Sequence, residues 1–128
     1  MRIKVITSIL ITFLLLLLSY YPIMYVNTNS IVNYAENVFK GKVDYSEIKN
    51  TPIEIYYPDE INFKKVDVNI KRKFVWHNFN SGRMYVNYTC TYYDNSGKMT
   101  CSSSDVDAIW NIKKTDGEWV ITGVIEDP

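Results

Sequence analysis

His77 is the chain's single histidine, and histidine is the side chain whose ordinary pKa lies nearest neutrality. To serve as a general base it needs a carboxylate to orient its ring and a concave site around it. Trp76 and Asn78 beside it supply neither, and the sequence places it at a strand end running into a turn, as a solvated residue. Asp105 and Asp107 form a second constellation. Two residues apart on a strand, they share a face, and paired carboxylates can divide acid and base work between them. Val106 and Ala108 take the apolar face of that strand, so both acids fall on the wet one. Ser102-Ser103-Ser104 lacks the Gly-x-Ser-x-Gly setting of an exposed nucleophile and has no histidine nearby. Asn87-Tyr88-Thr89 matches the acceptor sequence for N-glycosylation, which has meaning only in a cell that glycosylates. No catalytic residue is assigned from these groups. The expectation is a chain that is not an enzyme and holds no cofactor.

Cys90 and Cys101, the two cysteines, flank Asp94-Asn95-Ser96-Gly97. A four-residue loop there would set Cys90 directly opposite Cys101 and Tyr92 opposite Met99, in the kind of cross-strand pair whose side chains come closest. A type I turn with a glycine bulge would shift the pairing by one and send the sulfurs to opposite faces. The apolar register favours the four-residue loop. A Cys90–Cys101 disulfide is therefore expected, contributing about 2–3 kcal/mol, with two reduced core thiols as the alternative. Two cysteines and one histidine do not complete a zinc site, and no metal is expected. Trp76, Tyr88 and Trp110 lie on the apolar parity of their strands. They are the candidate lining of a ligand pocket; packing against a helix is the competing use of the same side chains.

Among the elements that position these residues, the C-terminal hairpin is the clearest. Val106, Ala108, Trp110 and Ile112 alternate on one face of a strand, and Trp119, Ile121, Gly123 and Ile125 on one face of the next. Asp116-Gly117 suits a two-residue turn with both central residues at positive φ, which pairs Ile112 with Ile121 and Trp110 with Gly123. Upstream, Val66, Val68 and Ile70 alternate against Lys65, Asp67, Asn69 and Lys71, with less order through Phe74 and Trp76. Asn78 to Gly82 turns the chain, and Met84, Val86, Tyr88, Cys90 and Tyr92 alternate through a second long strand. The apolar parity is odd at Met99 and Cys101 but even from Val106 on, so a bulge is required within Ser102-Ser103-Ser104-Asp105. Bulges bend sheets, and the resulting concavity is where a pocket is expected. Ile53-Glu54-Ile55-Tyr56-Tyr57 reads as a further short strand closed by Pro58-Asp59. Before it, Asn29-Ser30 offers the N-cap of a helix running to about Lys40, with Ile31, Tyr34, Ala35, Val38 and Phe39 on one face and Gly41 as its stop. Asp44 with Glu47 opens one more short turn through Ile48.

The first 26 residues differ in kind. A short basic start, Met1-Arg2-Ile3-Lys4, precedes an apolar run from Val5 to Leu18. A cleaved signal peptide needs small residues before the cut; Thr28 and Ser30 could serve, but no Ala-x-Ala pattern exists. An uncleaved anchor needs about 20 mostly apolar residues. Val5 through Val26 gives that length, and Tyr20, Tyr21 and Tyr25 would form an aromatic belt at the outer interface. The positive flank is N-terminal, so the remainder faces outward. Residues 1–26 are read as a transmembrane anchor, or a signal peptide if the leader is cut and the protein secreted, and 27–128 as one extracytoplasmic domain. That domain, about 100 residues, buries a modest core. Basic and acidic residues number 14 each over the whole chain. Without Arg2 and Lys4, 12 basic residues face 14 acidic ones and no basic stripe is visible, which argues against nucleic acid.

Several of these features together resemble the nuclear transport factor 2-like superfamily, in particular its small extracytoplasmic members. They are the first helix, the Gly41-Lys42-Val43-Asp44 step into a shorter one, the long bent strands, and the closing hairpin Trp110-Asn111-Ile112-Lys113-Lys114-Thr115-Asp116-Gly117-Glu118-Trp119-Val120-Ile121. The resemblance covers most of the chain after residue 29 and implies an α+β fold, an N-terminal helix packed on a curved, cone-like antiparallel sheet of four or five strands. The family's helical layer is usually larger, which implies a shallow or incomplete cone here. Its enzymes carry a pocket Asp or His, and no position in this chain matches such a motif. The superfamily hosts enzymes, ligand binders and assembly modules, so fold alone does not choose among them. The expected function is a non-catalytic accessory or protein-interaction domain, single-pass in the cell membrane with its C-terminal domain outside, acting on a protein partner or a second copy. A sheet rich in Tyr and Trp suits an interface. The alternative is a small-ligand binder using the concave face. A pocket lined by Trp76, Tyr88 and Trp110 favours the ligand; a filled core with an exposed aromatic patch favours a protein partner; His77 meeting an acid in a cleft favours catalysis.

Overall fold

Two helices lie almost end to end at the N-terminus of the computed structural model, which describes residues 1–58 and 63–126. Helix α1 (Arg2–Asn27) and helix α2 (Asn29–Phe39) are separated by Thr28, whose backbone sits at φ −98° and ψ 6°. Thr28, not Asn29-Ser30, is the N-cap position of α2. Its hydroxyl donates back to the carbonyls of Met24 and Tyr25 at 3.3 and 3.0 Å, so no side chain caps α2. From Met1 through Leu18 every residue of α1 is exposed, and the helix is long and apolar enough to cross a membrane. Only its last turns meet the rest of the chain, where Met24 and Thr28 are fully buried.

Helix α2 buries Ile31, Ala35, Val38 and Phe39 of the face its periodicity predicts, while Tyr34, expected on the same face, is exposed. The Asp44 carboxylate accepts from Ser46 N–H at 3.1 Å and opens helix α3 (Tyr45–Ile48). The segment expected to form a strand at Ile53–Tyr57 is instead a 3-10 helix, Pro52–Tyr56. Pro52 presets its first turn, and Ile53 and Tyr56, three residues apart, are buried together while Ile55 points to solvent. Asp59, expected to close that segment, lies outside the described residues.

The sheet is an antiparallel meander, β1 (Lys65–His77), β2 (Ser81–Tyr93), β3 (Met99–Thr115) and β4 (Glu118–Glu126), in spatial order β1-β2-β3-β4. The fold is therefore α+β, with four strands. Asp116 and Gly117 adopt φ 52° and 81°, and Ile112 faces Ile121 as expected. Beyond that pair Thr122 is an extra residue, so Gly123 faces Asn111 and Trp110 faces Val124. Val124 consequently packs against the core, and Ile125 is exposed.

Three further register shifts within the strands and a glycine bulge in the β2–β3 loop set the remaining register. Lys73 is unpaired between Arg72 and Phe74, which turns Val75 and His77 inward and Phe74 and Trp76 outward. The β2–β3 loop takes the glycine-bulge form: Asp94 N–H donates to the Lys98 carbonyl at 2.9 Å, and Gly97 adopts φ 83°. The Asp94 carboxylate accepts from Ser96 N–H, Ser96 Oγ and Lys98 N–H, which satisfies the donors of the tighter loop. Thr100 adds a second shift, so Cys90 faces Ser103 and Cys101 faces Tyr92. The expected direct Cys90–Cys101 pair is thus replaced. Both thiols are free, Cys90 buried and Cys101 exposed. The bulge required within Ser102–Asp105 is present: Asp105 adopts φ 55° and donates its N–H to Thr89 Oγ1.

Candidate functional site

The inner face of the sheet is filled by aromatic side chains of the sheet and of the helices packed on it. Tyr56 from the 3-10 helix stands between Tyr88 and Trp110, with ring centroids 5.3 and 5.9 Å away, and stacks on Phe39 of α2 at 4.5 Å. Trp110 Nε1 donates to Tyr56 Oη at 2.9 Å, and Tyr88 Oη donates to Glu126 Oε1 at 2.7 Å. Burial pushes the Tyr56 phenol well above its usual range, against the Trp110 N–H that pulls it down; burial, then the bond to Glu126, pushes up Tyr88. Both phenols therefore stay protonated, Tyr88 as a donor to Glu126 and Tyr56 as the acceptor of the Trp110 N–H. Of the three aromatics singled out as pocket lining, Tyr88 and Trp110 meet here through Tyr56. Trp76 is on the opposite face, 53% exposed.

His77 is 1% exposed, not solvated, because the bulge at Lys73 turns it inward. Its Nδ1 accepts from Phe79 N–H at 3.0 Å, which puts the proton of the neutral ring on Nε2. Nε2 is the buried side-chain polar atom that finds no partner among the described residues. The ring packs on Trp119 with centroids 4.6 Å apart. Burial pushes its pKa below 6.5; the Met24 backbone partly offsets this, and the Lys114 charge adds to it. Among the described residues no carboxylate hydrogen-bonds to it. Asp105 and Asp107 are brought together on the outer face, where Asn87 Nδ2, the amide of the glycosylation-type sequence, donates to both at 2.8 and 2.9 Å. Lys73 Nζ, 2.7 Å away, and then Asn87 hold Asp107 below the usual carboxylate range. Ser102 lies within 3.2 Å of Thr91 Oγ1 on the exposed part of β3.

An open cleft of about 620 Å³ runs between α2 and β4. Ile31 and Tyr34 form one wall, Ile53 the base, and Trp119, Val120 and Ile121 the other wall, with Glu47 and Glu118 at the rim. Burial, then the charge of Glu47, raises the Tyr34 phenol above 10.0. β4 is an edge strand, so among the described residues its outer side has no paired neighbour. Trp119 Nε1 donates to Asn27 Oδ1 at 2.8 Å, tying this wall to the end of α1. The spacing of Trp119 and Ile121 predicts their common face; that they line an opening depends on where α2 comes to rest, 90 residues away in the chain.

At the other edge of the sheet, α1 covers β1. Tyr21 Oη accepts from Val75 N–H and Met24 Sδ from His77 N–H, both at 3.4 Å, while Tyr20 Oη donates to the His77 carbonyl at 2.8 Å. Arg72 donates to the Tyr25 carbonyl and to Asn29 Oδ1, each at 2.6 Å, with its guanidinium 3.7 Å from the Tyr25 ring centre. The bonds at Val75 and His77 occupy main-chain groups that a bare edge strand would leave open. The tyrosines read from the sequence as an interfacial belt are thus also strand partners. Nothing local marks that role, since it joins residues 47 to 57 apart. Compared with protein-family models, curated proteins and solved structures, the chain gives no match.

Proposed function

We propose that the protein is a membrane-anchored, non-catalytic interaction domain whose cleft between α2 and β4 receives a segment of a partner polypeptide. The observation that carries this reading is the contrast between the filled inner face and the open cleft. Tyr56, Tyr88 and Trp110 occupy the space a ligand would need on the concave side, whereas an apolar cleft stays open along an unpaired strand edge. An extended segment beside β4 would gain main-chain hydrogen bonds from that edge and place its side chains in the cleft. Glu47 and Glu118 at the rim favour basic side chains on the partner. Asn27, the last residue of α1, and Ser30 in the first turn of α2 line one end of the cleft, so the partner belongs to the same membrane. Retention of α1 as an anchor, with the domain outside, is supported by its bonds to β1. A cut before Asn27 would take Tyr21 and Met24 away from the Val75 and His77 amides. The resemblance to the nuclear transport factor 2-like superfamily, which includes assembly modules, is part of the same proposal.

The cleft also has the volume of a small-ligand site, which is the second reading. Photo-crosslinking in the producing cells separates the two. A benzoylphenylalanine at Tyr34 or Val120, both exposed cleft residues, is expected to give a discrete polypeptide adduct, and one at Met99 on the far hairpin none. No polypeptide adduct from either cleft position overturns the proposal. A bound mass of a few hundred daltons on the native protein transfers the cleft to a ligand.

A further inference from the structure

We infer that the β1–β2 end of the sheet is seated in the outer lipid interface, with Phe74, Trp76 and Phe79 joining Tyr20 and Tyr21 in one aromatic girdle; this rests on the reading of α1 as a membrane span. The argument begins with length. The uninterrupted apolar run from Val5 to Leu18 has 14 residues, about 21 Å of helix at 1.5 Å per residue, while the hydrocarbon core needs about 30 Å. Counted from Val5, the span therefore extends to about Met24 and carries Tyr20, Tyr21 and Ile23 to the outer boundary. These residues do not arrive alone. The Tyr20 ring lies 6.1 Å from Trp76 and 5.4 Å from Phe79, and Tyr21 stacks on Phe74 at 5.7 Å. Placing Tyr20 at the interface places these rings there too.

All three rings are open on their other side: Phe74 is 45%, Trp76 53% and Phe79 40% exposed. In water that is an apolar patch continuous with the bare flank of α1, where Ile23 and Val26 are also exposed. The direction of packing fits as well. Moving outward along α1, Tyr20 meets the His77–Phe79 turn, Tyr21 meets Phe74 and Val75, and Tyr25 and Asn29 meet Arg72. The β1–β2 turn is thus nearest the bilayer, and the Arg72 guanidinium sits about one and a half turns higher, at headgroup level. Phe79 holds φ 68°, a left-handed conformation that Asn or Gly adopts more readily, so the turn presents a bulky aromatic against backbone preference. Arg83, Lys113 and Lys114 at this end are nearly balanced by Asp116 and Glu118. The seat is therefore aromatic and needs no anionic lipid.

The test uses the full chain in phosphatidylcholine vesicles whose acyl chains are brominated near the glycerol end, comparing the natural sequence with Trp76→Phe. Trp76 is exposed, so its replacement leaves the core intact, and Trp110 and Trp119 remain as internal references. Bromolipid is expected to quench a blue-shifted tryptophan component in the natural protein, and Trp76→Phe to lose that component. Alkaline carbonate is applied to the same vesicles. A chain stripped off by carbonate overturns the anchor reading and this inference with it. A carbonate-resistant chain whose quenching is absent, or equal in the two proteins, overturns the inference and leaves the anchor standing. Quenching that appears only after phosphatidylglycerol is added also overturns it.

Discussion

Trp110 and Trp76 face opposite ways in one sheet. Trp110 is wholly buried, with its indole N–H on Tyr56 and its ring beside Tyr56 and Tyr88. Trp76 lies against Tyr20 of α1 on one side and is open on the other. A single inserted residue, Lys73, makes the difference, because it reverses which residues of β1 point inward. In the inner cluster each polar tip is satisfied within the fold, so those aromatics stabilise it. The outer rings touch α1 and their strand neighbours Tyr85 and His77 yet stay 40–53% exposed, so their surroundings, not the fold alone, complete them.

The contrast breaks most directly at the two tryptophans. Trp110→Ala is expected to cost about 3–5 kcal/mol, a large share of the roughly 5–15 kcal/mol that holds a domain of this size together. Trp76→Ala is expected to cost less than about 1 kcal/mol. Denaturant unfolding of the full chain in mild detergent measures both, and similar losses at the two positions would end the distinction between a core and an outer cluster. The edge contacts come next. Met24 is fully buried, and Met24→Ala should cost about 2–4 kcal/mol, with faster amide exchange at His77, whose N–H loses its sulfur acceptor. Tyr21→Phe should cost about 1 kcal/mol and speed exchange at Val75 alone. If Met24→Ala leaves exchange along β1 unchanged, α1 is not the cover of that edge.

His77 gives the comparison a pH dependence. Burial keeps its folded-state pKa below the ordinary 6.5, so on acidification the unfolded chain binds the proton first. Stability from this group is intact above 6.5 and falls as pH drops from there toward the folded value, by at most about 1.4 kcal/mol per pH unit. The expected outcome is a decline in stability as pH falls below about 6.5 that His77→Gln flattens. A variant with the same slope as the natural protein would mean that His77 is not the group titrating.

What was legible in the sequence depended on range. Asp116-Gly117, Gly41, the Asp44 cap and, apart from the exposed Tyr34, the buried face of α2 follow from local chemistry and are found. The bulge at Ser102–Asp105 was legible because apolar parity breaks across it. The bulge at Lys73 left a weaker mark: alternation loosens at Phe74, but Phe74 and Trp76 are themselves apolar and hide the reversal. Pro52-Ile53-Glu54-Ile55-Tyr56 supports both a period of two and a period of three, and packing under α2 decides for the 3-10 helix. The cysteine register turned on the Asp94 carboxylate, whose three accepted bonds favour a tight loop that apolar alternation argues against. For the cleft and the α1–β1 edge no local signal exists, since each joins segments dozens of residues apart.

The finest test of the comparison is Phe79→Gly, where the smallest effect is expected. Deleting an aromatic ring removes contacts with Tyr20 and His77, worth about 0.5 kcal/mol each at so exposed a ring, the low end for such pairs. It also relieves a left-handed conformation at φ 68°, which costs a residue other than glycine about 1–2 kcal/mol. Glycine then gives back about 0.5–1 kcal/mol through its greater freedom in the unfolded chain. The opposing effects nearly cancel, and unfolding in detergent should change by no more than about 0.5 kcal/mol. A loss of about 2 kcal/mol or more, the scale of core truncations, would place Phe79 with Trp110 and dissolve the outer cluster. If the change is near zero, the fold holds a large exposed aromatic at a position where glycine would serve stability equally well, and the reason for the ring lies in what the domain sits against.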